Sequence, residues 1–168
     1  MRRIALILGA AVLAVATAAG PVAARQSGLT IVETAVAVNQ QSGEFDHLIA
    51  AVVRADLVGT LDGNRRLTVF APTDAAFEDL FDALGVTSVN DIPLETLRAV
   101  LLHHVAPGQR FSGDVLASSR IRTLNRDFAT PSIQGGQPYI DGARIVLPDV
   151  RAANGVIHVI DAVILPGA

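Results

Sequence analysis

Four histidines are the residues of this chain best suited to proton transfer or metal binding: His47, His103, His104 and His158. His103 and His104 are neighbours in a segment of helical spacing. Their side chains therefore diverge by about 100° and cannot easily grip one ion together. No His-x-x-x-His pair and no carboxylate cluster at ligand spacing accompanies them, so no metal site is assigned. The chain has no cysteine nucleophile. It also has no Gly-x-Ser-x-Gly elbow, and Gly135-Gly136 reads as a hairpin turn, not as a phosphate loop ahead of a helix. No catalytic residue, cofactor or reaction follows, and the chain is read as a non-enzyme.

The histidines have structural readings. His104 ends the stripe Leu94, Leu97, Leu101, spaced by three, four and three. That position predicts a buried imidazole held by a hydrogen bond to a loop or cap. His103 lies off the stripe and is expected at the surface. His158 and Asp161 interrupt the run Val156 to Leu165, which is too apolar to face water on either side. This run, opened by the Asn154-Gly155 turn signal, is expected to be a central strand from 156 to 165 whose polar residues are bonded inside the fold. Asp74 reads as a helix cap or first-turn acid. Asp141 and Asp149 read as turn or strand-end residues, and Arg65-Arg66 as a solvated pair.

These residues need elements to position them. Thr30 and Glu33 form a capping box, predicting a short helix to about Asn39. Phe45, Leu48, Ile49 and Val52 share one face of a second helix ending near Gly59. Leu67 to Ala71 reads as a strand stopped by Pro72. Thr73 or Asp74 then caps a helix that ends before Gly85. A helix is expected over Asp91 to Val105, with Pro93 in its first turn and Pro107-Gly108 breaking it. Strands are expected at 119–124, 128–133, 137–141 and 143–150, with Asp141-Gly142 as a hairpin turn. Helices first and strands mostly last is an α+β order.

The chain has 168 residues, room for one domain, and a net charge of −3. Arg2 and Arg3 precede the apolar run Ile4 to Ala16, and Val22-Ala23-Ala24 fits a signal cleavage site. Residues 1–24 are read as a signal peptide and 25–28 as a linker. Ala16-Thr17-Ala18 is a competing cleavage site, and an uncleaved anchor is the alternative. Cleavage would remove Arg2 and Arg3 and leave a chain of charge −5. An acidic surface argues against nucleic acid and anionic membrane as partners.

Three segments together resemble the fasciclin-like (FAS1) domain family. Thr68-Val69-Phe70-Ala71-Pro72-Thr73-Asp74-Ala75-Ala76-Phe77 resembles its first signature block. Asn154 to Leu165, with Asn154, Gly155, His158 and Asp161, resembles its second. Leu102-His103-His104-Val105 stands where the family has a Tyr-His motif. The resemblance covers 29–166. It implies a β-wedge or sandwich flanked by helices, an extracytoplasmic location, and adhesion or matrix contact, homotypic association included. It is similar to small bacterial members with one secreted domain. Two departures concern positions linked to integrin recognition in animal members: His103 replaces the motif's Tyr, and Asp149-Val150 replaces its Asp-Ile. His103, Asp149 and Val150 are nonetheless the candidate partner contacts. The expected function is a secreted or periplasmic interaction module that does not insert into the membrane after signal cleavage. The alternatives are a small-molecule or lipid carrier using a cleft between helices and sheet, and an enzyme of unrecognised type.

Overall fold

The computed structural model describes residues 28–167; the signal-peptide and linker expectations for 1–24 and 25–27 lie outside them. Helix α1 spans Ile31–Ser42 and opens on the expected capping box: Thr30 Oγ1 accepts from the Glu33 N–H and the Glu33 carboxylate accepts from the Thr30 N–H. The second helical stretch breaks in two. Helix α2 covers Asp46–Arg54 and α3 covers Val58–Leu61. Asp56 between them has φ +56°, which ends the first helix. Arg98 donates from Nε and Nη2 to the Ala55 carbonyl, at 3.2 and 2.9 Å, satisfying the freed end of α2.

Strand β1 is Leu67–Pro72 and helix α4 is Asp74–Leu84, capped by Thr73 and closed by Gly85 at φ +68°. A 3₁₀ turn at Val89–Asp91 and an extended Pro93 replace the expected start at Asp91, and α5 runs Leu94–His103. Leu94 is exposed, so the buried stripe begins at Leu97. Two elements escaped the sequence reading: the short strand β2 (Val105–Pro107) and helix α6 (Ser112–Ala117). Strands β3 (Ile121–Arg122), β4 (Phe128–Ala129), β5 (Pro131–Gln134), β6 (Gln137–Ile140), β7 (Ala143–Ala152) and β8 (Gly155–Ile160) follow.

The fold is α+β, with helices mostly in the first half and a curled mixed sheet of order β2-β1-β8-β7-β6-β5. β3 and β4 form a separate ribbon. β8 is central, parallel to β1 and antiparallel to β7, and buried at every residue. Its two faces serve two cores. Ile157 and Val159 join Val69, Ala71, Leu48 and Phe77 in the helix-side core. Ile160 joins Phe70, Ile145, Ile140 and Val115 on the other side. The alternation follows from the strand's side-chain period of two. The strand stops at Ile160, not at 165. Beyond it, exposed Asp161 exchanges bonds with the Arg144 backbone: its N–H donates to the Arg144 carbonyl and its Oδ1 accepts from the Arg144 N–H.

Asn154 ties three elements together. Its Oδ1 accepts from the Ile31 N–H at 2.8 Å, covering an orphan donor at the start of α1. Its Nδ2 donates to the carbonyls of Leu61 and Gly63. Asn154→Ala strands all three groups and is expected to cost about 2 kcal/mol, read as a lower urea midpoint at unchanged slope. A midpoint equal to wild type would refute this role.

Candidate functional site

His103, off the apolar stripe of α5, is enclosed by other elements. It is 1 % exposed, not at the surface. The turns between β3 and β4 and between β6 and β7 fold over the end of α5 and cover it. Its Nε2 lies 3.2 Å from Asp141 Oδ2, and its Nδ1 lies 3.3 Å from both Asn125 Oδ1 and Thr123 Oγ1. Asp141 sits with Gly142 in a turn where both have positive φ, +46° and +83°. Its other oxygen, Oδ1, accepts from the Thr130 N–H at 2.7 Å.

Thr123, His103 and Asp141 have the order of a hydroxyl–imidazole–carboxylate relay. Thr123 is 3 % exposed, however, and its hydroxyl faces Asn125 Oδ1 and the Asp127 carbonyl. A nucleophile sealed this way meets no substrate. The cluster is a polar clasp joining α5, the β3–β4 ribbon and the β6–β7 turn.

His104 is 2 % exposed. Its Nδ1–H donates to the Val100 carbonyl at 2.7 Å, and its Nε2 accepts from the Ile164 N–H at 3.0 Å. Both nitrogens are thereby engaged and the ring is neutral. Burial pushes its pKa down to about 4, against the opposing Val100 bond. His104 thus joins the end of α5 to the segment leaving β8.

His158 lies on β8 and stacks on Phe70 with 5.6 Å between ring centroids. Its Nε2–H donates to the Arg110 carbonyl at 2.9 Å and its Nδ1 accepts from the Asp149 N–H at 3.2 Å. Burial lowers its pKa too. His47 is half-buried, edge-on to Phe81. Among the described residues, no group of three or more His, Cys, Asp or Glu side chains could hold a metal ion.

The remaining signature residues are mostly fastened inside. Thr68 Oγ1 donates to the Gly108 carbonyl and accepts from the Arg110 N–H. Phe70, Pro72 and Phe77 are buried, and Thr73 accepts from the Ala76 N–H. Asp74 opens α4 but caps another helix: its carboxylate accepts from the N–H groups of Asp46 and His47 at the start of α2. Gly155 is fixed by closeness, because a Cβ there would lie 2.0 Å from the Leu67 carbonyl oxygen and 2.7 Å from Ile31 Cδ1.

Asp149 and Val150 lie apart from His103 in role and surroundings. Asp149 has φ +61° in the irregular stretch of β7. Its carboxylate accepts from the N–H and hydroxyl of Ser112, at 2.7 and 2.6 Å, at the start of α6. Val150 is half-buried against the helix-side core. Next to them, the β7–β8 register slips between Ile145 and Leu147 and again before Val150. Val146 and Leu147 are 46 % and 49 % exposed there. Beyond Arg144, β7 pairs with β8 alone among the described residues. The sequence gives no sign of this patch, since Val146 and Leu147 read as ordinary strand residues.

A second feature is a groove of about 510 Å³ between α4 and α5, walled at one end by Leu165 and Pro166. It lies between two helices and the C-terminal segment, not between helices and sheet.

A family model described as the fasciclin domain matches residues 43–166. A Synechocystis protein, sll1483, is 38 % identical over 148 residues, covering 86 % of this chain and 77 % of that protein. Immunogenic protein MPT70 of Mycobacterium tuberculosis is 30 % identical, covering 95 % of this chain and 81 % of its own length. The solved FAS1 domain pair of the insect cell adhesion molecule Fasciclin I superposes with a TM-score of 0.66 at 17 % identity, over 82 % of this chain; the chain spans about half of that pair. With the curled sheet and signature blocks in place, the chain belongs to the fasciclin domain family. Among the described residues, no helix is long and apolar enough to cross a membrane.

Proposed function

We propose that this chain is an exported, non-enzymatic interaction module that contacts a protein or matrix component of the cell envelope. Residues 29–166 are the working domain, and the leader at 1–24 directs export. The adhesion role named for Fasciclin I supports this reading. So does the internal use of His103, His104 and His158, whose ring nitrogens all face partners within the fold.

The observation that carries the proposal is the β7 surface. Val146 and Leu147 are about half exposed, two to three residues before Asp149, whose carboxylate is locked by Ser112. A fixed carboxylate next to adjacent apolar side chains suits recognition better than a mobile loop, because less ordering is lost on contact. His103, being buried, is withdrawn as a contact; Asp149 and the half-buried Val150 remain candidates.

The double variant Val146→Asp, Leu147→Asp places charge on side chains that folding leaves about half exposed. Its melting temperature is expected to stay within about 2 °C of wild type. Co-sedimentation with native cell envelopes is expected to weaken at least about tenfold. Wild-type association by the folded double variant would remove β7 from the interface. Substrate turnover abolished by a point mutation would reject the non-enzymatic reading.

A further inference from the structure

We propose that the groove between α4 and α5 is a binding site for a single-chain amphiphile with a cationic head. The site is independent of the β7 surface. Phe77, Leu80 and Leu84 of α4 form one wall, and Leu97 and Val100 of α5 the other. Leu165 closes one end. The volume of about 510 Å³ is well within the range of about 300–1,000 Å³ typical of small-ligand sites. Leu84 and Leu165 remain 49 % and 42 % exposed. Covering them removes apolar surface from water, which drives occupation by a hydrocarbon chain.

The head-group class follows from the charges. Glu95, in the first turn of α5, is the single ionisable side chain lining the groove among the described residues, and it is exposed. The neighbouring cations are committed elsewhere. Arg98 is turned to the Ala55 carbonyl, and Arg54 donates to the carbonyls of Val89, Asn90 and Ile92. A carboxylate or phosphate head would meet a like charge, with no guanidinium among the described groove-lining residues to offset it. An amine head would meet an opposite one. The other polar lining group, Thr96, is uncharged.

The test uses the full exported chain, with dodecylamine and laurate as probes below their self-association concentrations, titrated calorimetrically. Saturable binding of one dodecylamine per chain is expected, with laurate weaker by about threefold, the scale of one exposed charge pair. Thr96→Trp adds an indole over the groove from an exposed position and is expected to weaken the amine at least about tenfold. Glu95→Gln is expected to keep chain binding and remove the preference for the amine. Unchanged melting of both variants confirms that they fold. Three results would each overturn the proposal: no saturable amine binding, binding indifferent to Thr96→Trp, or laurate bound by wild type as well as the amine. Self-association that Thr96→Trp abolishes, in the absence of amine binding, would assign the groove to a second copy and overturn it as well.

Discussion

Replacing Gly155 by alanine is expected to destabilise the protein by at least about 3 kcal/mol, the upper part of the range for overpacking a core. The reason is contact with backbone, not with a side chain that could swing away. The added Cβ would lie 2.0 Å from the Leu67 carbonyl oxygen. Leu67 and Gly155 are register partners at the start of the parallel β1–β8 pairing, and the Leu67 N–H bonds to the Asn154 carbonyl beside them. Relief requires the two central strands to separate at that end. Such a shift also disturbs Ile31, whose Cδ1 would lie 2.7 Å from the new atom, and the Asn154 bond to the Ile31 N–H. Urea denaturation reads the loss as a lower midpoint. A variant within about 1 kcal/mol of wild type would show that β1 and β8 do not approach as described.

The second large effect belongs to His104. His104→Ala leaves a cavity and frees the Val100 carbonyl and the Ile164 N–H in a buried setting. Together these are expected to cost about 3–5 kcal/mol. The same residue makes stability depend on pH. Its folded pKa of about 4 is below the ordinary histidine value of 6.5, so between these values the unfolded chain binds more protons. The stabilising contribution is complete above pH 6.5 and is lost progressively as pH falls towards 4. The loss approaches about 3 kcal/mol, from the 1.36 kcal/mol per pKa unit of linkage. His158, also lowered by burial, acts in the same direction. A His104→Gln variant is expected to show a shallower decline of stability between pH 7 and 4. An equal decline would assign the acid sensitivity elsewhere.

What could be read from the sequence was what local geometry decides. Thr30 with Glu33, Thr73 with Gly85, and Asp141-Gly142 act through neighbours three residues away or fewer, or through a backbone angle. His104 was legible because a residue at helical spacing on an apolar stripe has one place to go. His103 was not, because helical spacing describes α5 alone. The turns carrying Asn125 and Asp141 arrive from 22 and 38 residues further on. Asp149 and Asp74 were read as local caps or turns, yet each serves a helix distant in sequence. The α4–α5 groove and the β7 patch depend on packing and on a register slip. Neither has a local signature.

His103, His104 and His158 hold the fold through their ring nitrogens, and the proposed surface function depends on their staying so engaged. Nitrogen-15 NMR of the imidazoles across pH 3.5–8 tests this most directly. His104 is expected to hold one neutral tautomer, protonated at Nδ1, until the pH approaches about 4. A His104 ring that titrates near 6.5, or that exchanges between tautomers at neutral pH, would contradict it.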